Sequence, residues 1–302
     1  MRDMDILTIK DLQKSFGGKN VLCGLDLSVK EHSIFGFVGR NGAGKTTLMK
    51  AILGLLRADG GEIFVCGEKV SFGQAKTNRY IGYLPDVPEF YPFMTAREYL
   101  TLCGESMGMS RTDTEKRSED LLGLVGLSHE NHRIKGFSRG MKQRLGIAQA
   151  LLARPKLLIC DEPTSALDPI GRKEILDILL SVREHTTVLF STHILSDVER
   201  ICTDVALLHN GKIAMKGSVS ELKSAYRNEE FSVEPKDLNG IKLLQAEFPN
   251  ARISSKDTLV FSGGEELMFR VLGFIKERKI SVQKIERLEA SLESLFMEAV
   301  NL

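Results

Sequence analysis

The sequence has no long apolar run, no large net charge and no cysteine pattern typical of a metal or redox site. Nowhere do about 18 apolar residues follow one another without a charge, so we expect no membrane span. The chain carries 41 Lys and Arg against 40 Asp and Glu, which gives no global electrostatic reason to bind nucleic acid or an anionic membrane surface. The five cysteines lack metal-ligand spacing, and we expect reduced thiols in a cytosolic protein. The N-terminus also lacks the apolar segment of a secretory signal.

The 302 residues predict two domains. Short apolar strands alternate with helices in the first part, a pattern typical of an α/β fold with a parallel sheet covered on both faces. We place this domain at residues 1–222, with a helical insertion at about residues 84–154. Residues 226–302 read as strand-helix-strand-strand-helix-strand, which predicts a small α+β domain with the ferredoxin-like split arrangement.

A glycine-rich segment, "GRNGAGKT", fits the phosphate-loop pattern G-x-x-x-x-G-K-[ST]. It follows the apolar strand "SIFGFV" and opens the helix "KTTLMKAILGLL", which is the context that the pattern requires. Its glycines let backbone N–H groups surround an anion at a helix N-terminus. We therefore expect nucleotide phosphates to be bound by Gly39, Arg40, Asn41, Gly42, Ala43, Gly44, Lys45, Thr46 and Thr47, with Mg²⁺ on Thr46.

Two adjacent carboxylates, Asp161 and Glu162, end the apolar run "KLLICDEPTSALDP". A buried carboxylate without a cation or donors costs several kcal/mol. The Mg²⁺ of a nucleotide would compensate Asp161, leaving Glu162 to orient and deprotonate a water. A solvated Asp-Glu-Pro turn after the strand is the alternative.

Four segments in this order resemble the motifs of ABC-type ATPases across roughly residues 5–222. "GRNGAGKTT", "FSRGMKQRLGIAQALL", "LLICDEPTSALD" and "FSTH" are similar to Walker A, the signature, Walker B and the switch-histidine segment. The resemblance implies a P-loop NTPase fold of the ABC type that uses ATP and Mg²⁺. It also implies a head-to-tail dimer, with itself or with a related chain, in which each ATP lies between one subunit's phosphate loop and the other's signature.

The signature segment also has a direct physical interpretation. Ser138 is a good N-cap for a helix from Arg139 to Ala153, and Gly140 allows a phosphate to approach closely. One chain would then hold two anion-binding helix termini, and one nucleotide does not need both from the same subunit. The alternative is a helix that merely caps itself. We expect the contact to a partner's ATP to come from Ser138, Arg139, Gly140 and Met141.

Three further roles are implied by the resemblance. His193 would contact the γ-phosphate as a catalytic residue beside Lys45 and Glu162. Asp168 would touch the partner subunit as the D-loop aspartate, or cap the helix before Pro169, and both are compatible. Phe16 would stack on adenine, with a core phenylalanine as the alternative.

Two positions depart from the family pattern. Asp86 stands where glutamine is usual; an aspartate can still ligate Mg²⁺ but adds a negative charge, and acidic residues here are similar to a subset of export-type subunits. Arg139 replaces the usual second glycine of the signature. It would place a cation near the phosphates or lie in solvent, and the sequence does not decide between the two.

The resemblance implies ATP hydrolysis that drives a separate integral membrane permease subunit, from the cytoplasmic side of the membrane. In the family the region of Phe90–Leu100 docks that subunit, with burial in the core of the helical insertion as the alternative. The tail "LEASLESLF" is similar to export systems. The alternatives are a soluble ABC ATPase of translation or DNA repair and a nucleotide-binding regulator without turnover. Near-neutral charge disfavours a nucleic-acid partner, and the presence of Glu162 and His193 disfavours the regulator.

Overall fold

A computed structural model describes residues 5–225, 230–255, 257–288 and 291–301 of the chain. The chain divides into two compact units. One comprises the residues up to Val219 together with Ala299–Asn301 at the end of the last helix, and the other spans Ser220–Glu298. The domain limits predicted at residues 1, 226 and 302 lie outside the described residues, so the limits stay predictions. Residues 289 and 290 of the tail motif lie outside them as well.

The first unit contains an antiparallel sheet of four strands. Elements are numbered in chain order, and the strand order is β2-β1-β4-β5. The strands β1 and β2 pair over almost their full length. The strands are β1 (Asp5–Phe16), β2 (Lys19–Lys30), β4 (Gly60–Val65) and β5 (Glu68–Lys69).

A six-stranded sheet with the order β10-β9-β3-β8-β7-β6 forms the centre of this unit. All neighbours run parallel except the β9–β10 hairpin. Every residue of β3, β7 and β8 is buried, which confirms the predicted parallel sheet. The strands are β3 (Ile34–Val38), β6 (Ile81–Leu84), β7 (Leu157–Asp161), β8 (Thr187–Thr192), β9 (Asp204–His209) and β10 (Lys212–Ser218).

Three α-helices and a short 3-10 helix, Ile134–Gly136, lie between β6 and β7 in the chain, in the region of the predicted insertion. Side-chain caps begin the three α-helices. Thr95 begins the first of them with a capping box, and Ser110 and Ser138 cap the other two through their side chains. These are α2 (Ala96–Ser106), α3 (Arg111–Leu124) and α4 (Arg139–Leu151). The other α-helices up to residue 225 are α1 (Lys45–Ile52), α5 (Pro169–Val182), α6 (Leu195–Ile201) and α7 (Val219–Ala225), and a 3-10 helix spans Lys76–Tyr80.

The second unit has an antiparallel sheet of order β12-β13-β11-β14. This is the strand order of the split β-α-β-β-α-β arrangement, which confirms the ferredoxin-like prediction. Its core is built on Phe231 and Val233 of β11 and Leu259 and Phe261 of β13. The elements are β11 (Glu230–Pro235), α8 (Leu238–Glu247), β12 (Arg252–Ser255), β13 (Thr258–Ser262), α9 (Gly264–Glu277), β14 (Val282–Arg287) and α10 (Leu292–Asn301).

No helix within the described ranges combines the length and the apolar character that a membrane crossing requires.

Candidate nucleotide-binding site

The glycine-rich loop joins the end of β3 to the start of α1. Gly44 has φ 108°, a backbone conformation that favours glycine. A side chain at Gly44 would also place its Cβ 3.1 Å from the carbonyl oxygen of Val21. The loop therefore passes close to β2 and leads into α1, whose first N–H groups have no partner within the helix.

Lys45 is buried at the start of α1, and its ammonium group is held by backbone oxygens. Its Nζ donates to the carbonyl of Gly39 at 2.6 Å and lies 3.3 Å from that of Arg40. The same Nζ lies 3.0 Å from Oε1 of Glu162. The cation is thus fixed between the phosphate loop and the second acid of the Asp-Glu pair.

Thr46 links the loop to the first acid. Its Oγ1 donates to Oδ2 of Asp161 at 2.7 Å. Asp161 is the last residue of β7 and is only 3% exposed. The two segments that the sequence predicts to converge are therefore in direct contact, although 115 residues separate them in the chain.

Glu162 leaves the strand in a left-handed conformation with φ 49°. Its Oε2 lies 2.9 Å from Nδ1 of His193, which follows β8. Lys45, Glu162 and His193 thus form one chain of contacts, and these are the three residues predicted to be catalytic. The contacts place the residues together, while their roles stay predictions.

Ser191, on β8, is a residue that the sequence interpretation missed. Its Oγ donates to Oδ1 of Asp161 at 2.6 Å and accepts from the backbone N–H of Glu162 at 3.0 Å. A hydroxyl in the apolar strand "TVLFST" was the available signal. The register that pairs Ser191 with Asp161 is not readable from the sequence.

These contacts lie in a pocket of about 430 Å³. The pocket also reaches Phe16, a residue that is 48% exposed. The ammonium of Lys14 lies 5.2 Å from the centre of its ring. A core phenylalanine is therefore excluded. The predicted site residues that line the pocket are Phe16, Asn41, Gly42, Gly44, Lys45, Thr46, Thr47, Asp86, Asp161, Glu162 and His193. Two residues that were not predicted, Val21 and Ser165, also line it. Three predicted loop residues, Gly39, Arg40 and Ala43, do not.

Asp86 brings a third carboxylate to the pocket. Burial raises the pKa of Asp86, the cation of Arg139 lowers it, and the charges of Asp161 and Glu162 raise it further. The Arg139 guanidinium lies 3.7 Å from Oδ1 of Asp86, and this oxygen is buried without a hydrogen bond. Arg139 is therefore half-exposed and paired with an acid that lines the pocket, and its approach to a phosphate stays a prediction.

The remaining signature residues lie outside the lining of this pocket. Ser138 caps α4 by accepting from the N–H of Met141 at 3.2 Å. Gly140 has open space around it, since the nearest atoms to an added Cβ are 4.0 Å away. Ser138 is thus the N-cap of α4, as predicted, and the contact of the signature with a second subunit's ATP stays a prediction.

Asp168 is exposed and caps α5, accepting from the N–H of Gly171 at 3.0 Å with Pro169 as the first helical residue. The capping interpretation of Asp168 is confirmed. Its role as the D-loop residue that touches a partner subunit stays a prediction.

The oxygen atoms at the pocket fit Mg²⁺ bound together with a nucleotide. The hydroxyl of Thr46 and the carboxylates of Asp161 and Asp86 are hard oxygen ligands, the type that Mg²⁺ prefers. Among the described residues, no three His, Cys, Asp or Glu side chains form a metal site by themselves. The donor set therefore suits an ion that keeps phosphate and water ligands.

Known proteins resemble both the sequence and the structure. The profile of the family described as "ABC transporter" matches residues 22–165. The chain is 37% identical to the uncharacterized ABC transporter ATP-binding protein YxlF of Bacillus subtilis (strain 168), covering 98% of this chain and 100% of the relative. It is 36% identical to the bacitracin transport ATP-binding protein BcrA of Bacillus licheniformis, covering 98% and 97%. A solved "ATP binding subunit of ABC transporter" has a TM-score of 0.65 at 33% identity, covering 73% of this chain and 92% of that one.

Both of these Bacillus relatives align over nearly their whole length, so the similarity includes both units and not only the motifs. The structure agrees with this similarity in the fold of the first unit, in the phosphate loop and in the acidic pair Asp161 and Glu162. The chain belongs to the family of ABC transporter ATP-binding proteins.

Proposed function

We propose that this chain binds and hydrolyses ATP with Mg²⁺, and that hydrolysis powers export through a separate membrane subunit. The observation that carries the proposal is the junction of the phosphate loop with the acidic pair. Thr46 lies 2.7 Å from Asp161 and Lys45 lies 3.0 Å from Glu162. One magnesium triphosphate is therefore able to meet all four side chains.

The triphosphate binds at the N-terminus of α1. Unpaired N–H groups and the helix dipole attract its negative charge. Lys45, held by the carbonyl of Gly39, supplies a fixed cation for the β- and γ-phosphates. The exposed ring of Phe16 offers a stacking face for adenine.

Thr46 and Asp161 hold the metal ion, and Asp86 adds a further carboxylate at the pocket. When bound, Mg²⁺ neutralises charge on the phosphate oxygens. The buried oxygen of Asp86 that has no hydrogen bond gains a favourable partner when a cation enters.

Glu162 orients the attacking water and accepts its proton. His193, 2.9 Å from the carboxylate of Glu162, holds that carboxylate in place. The His193 side chain is 44% exposed, so the ring is accessible to a γ-phosphate. This pair of residues supports turnover over a regulator that only binds nucleotide.

The signature of one subunit completes the site of another in a head-to-tail dimer, formed with itself or with a related chain. Ser138, Gly140 and Met141 lie outside the pocket of their own chain, and Gly140 leaves open space at the start of α4. A helix N-terminus with open space beside it is suited to a phosphate brought by a partner.

The membrane subunit docks on the helical insertion from the cytoplasmic side, so the chain is a peripheral membrane protein. The segment after Asp86 exposes three large apolar residues, Val87, Tyr91 and Phe93. Exposed aromatic side chains are enriched at protein interfaces. They support the predicted docking role of the region Phe90–Leu100.

Export is the direction that the observations favour. The relative BcrA is named for bacitracin transport. An acid at position 86 and the tail "LEASLESLF" are the sequence features similar to export-type subunits.

Phosphate release tests the proposal. The chain is purified with the membrane subunit that co-purifies from membranes, and release is measured with and without Mg²⁺. We expect Mg²⁺-dependent release that Lys45→Ala abolishes. No release by the wild-type complex would favour a nucleotide-dependent regulator instead.

A further inference from the structure

Ser191 occupies an unusual position for a hydroxyl. It is the fifth residue of β8, which lies between β3 and β7 in the sheet, and its side chain is 0% exposed. A buried hydroxyl without partners costs free energy, so its hydrogen bonds are expected to be specific.

The partners of Ser191 are the two acids of the pocket. Its Oγ donates to Oδ1 of Asp161 at 2.6 Å, while Thr46 donates to Oδ2 at 2.7 Å. Both oxygens of this carboxylate thus have a fixed donor. The plane of the Asp161 carboxylate is set by Ser191 on one side and by the phosphate loop on the other.

Ser191 also holds the backbone of Glu162. The N–H of Glu162 donates to Oγ of Ser191 at 3.0 Å and to the carbonyl of Ser191 at 3.2 Å. Successive side chains of a strand point to opposite faces, so a straight continuation of β7 would separate the two carboxylates. The left-handed φ of Glu162, 49°, breaks that alternation, and such a conformation persists only when its surroundings hold it.

We infer that Ser191 is a positioning residue of the nucleotide site: its single hydroxyl fixes the metal-binding carboxylate of Asp161 and the turned backbone that brings Glu162 into the same pocket. The inference rests on the proposed function, because it concerns the same site. Ser191 does not line the pocket and acts through Asp161 and Glu162.

Metal affinity tests the inference without relying on turnover. Mn²⁺ is titrated into the full chain saturated with ADP, and bound ion is counted by electron paramagnetic resonance. Removing a residue that orients a metal ligand typically weakens metal binding about 10- to 100-fold. We expect Ser191→Ala to weaken Mn²⁺ binding by a factor at the lower end of that range. The affinity for ADP, measured with a chelator that removes metal ions, should be unchanged.

Two variants serve as controls. Ser191→Thr keeps the hydroxyl and is expected to keep the wild-type Mn²⁺ affinity. Thr186→Val removes another buried hydroxyl beside the far end of β8, one that donates to the carbonyl of Pro155 at 3.0 Å, and it is expected to leave Mn²⁺ affinity unchanged. If Ser191→Ala loses its cooperative unfolding transition, Ser191→Cys, a close match in volume and a weaker donor, replaces it.

The outcomes separate this inference from the proposed function. Equal Mn²⁺ affinity in wild type and Ser191→Ala, or an equal loss in Thr186→Val, overturns the role of Ser191. A wild type that binds Mn²⁺ with ADP but releases no phosphate overturns the proposed ATPase and leaves the Ser191 result to stand. A wild-type chain that binds neither Mn²⁺ nor ADP overturns both the proposed function and the role of Ser191.

Discussion

The guanidinium of Arg139 lies 3.7 Å from the carboxylate of Asp86, so the two departures from the family pattern are neighbours in space. The backbone carbonyl of Asp86 also accepts from Nε2 of Gln143 on the same helix at 2.8 Å. The start of α4 is thus attached to the nucleotide pocket by one ion pair and one hydrogen bond. The acid and the cation at these positions compensate each other's charge.

This relationship predicts coupling between substitutions at the two positions. Arg139→Gly leaves a buried carboxylate oxygen without its cation, and Asp86→Gln leaves the cation without its acid. We expect each single variant to lower phosphate release and the double variant to recover part of the loss. The coupling should amount to about 0.5–1 kcal/mol, since the pair is half-exposed.

A matched pair controls for general damage to α4. Lys142 lies in the first turn of the same helix, and Asp86→Gln combined with Lys142→Ala should show additive losses. Additive losses for Asp86→Gln with Arg139→Gly would contradict the compensation.

The raised pKa of Asp86 predicts a pH dependence of stability. Its folded-state pKa lies above the unfolded value, mainly because of burial. The charged form therefore destabilises the fold at neutral pH, and this cost disappears as the pH falls towards the unfolded value of about 3.9. We expect Asp86→Asn to raise the thermal unfolding midpoint at neutral pH, by an amount that shrinks as the pH is lowered. If the difference in unfolding midpoint between Asp86→Asn and wild type stays constant or grows as the pH is lowered, the predicted cost of the Asp86 charge is wrong.

Head-to-tail assembly predicts complementation between two inactive variants. Gly140→Asp places a negative charge where a partner's phosphate would bind, in open space, and Lys45→Ala removes the phosphate-binding cation. Each ATP site of the dimer combines one chain's phosphate loop with the other chain's signature. In a mixed dimer one site therefore contains both substitutions, and the other site contains neither. We expect phosphate release to recover to about half of the wild-type rate per mixed dimer.

Lys45→Ala mixed with Glu162→Gln is the matched control. Both substitutions affect the same chain's pocket, where Lys45 and Glu162 are 3.0 Å apart, so each mixed dimer has two defective sites and should stay inactive. If phosphate release recovers in this control, or does not recover in the Gly140→Asp and Lys45→Ala mixture, the signature does not act on the partner's ATP.

Local features of the site were predictable from the sequence because they depend on neighbours in the chain. The loop before Lys45, the cap at Ser138 and the cap at Asp168 each follow from residue types within a few positions. The meeting of Thr46 with Asp161 followed from a general property of parallel sheets, whose carboxyl ends share one edge.

Other features depend on tertiary placement that short-range patterns do not encode. The contact of Asp86 with Arg139 requires α4 to pack beside the segment after β6, and 53 residues separate the two positions. The role of Ser191 depends on the register between β7 and β8. The positive φ of Glu162 is stabilised by that same neighbouring strand and not by its own residue type.

The central claim is that Lys45 with Thr46 and Asp161 with Glu162 act on one magnesium–ATP. Glu162→Gln tests it most directly, by measuring retained ATP and released phosphate in the same sample. Loss of a general base typically costs about 10²–10⁴-fold in rate, so we expect ATP to stay bound, dimers to accumulate and phosphate release to fall at least 100-fold. Phosphate release at the wild-type rate by Glu162→Gln would contradict the claim.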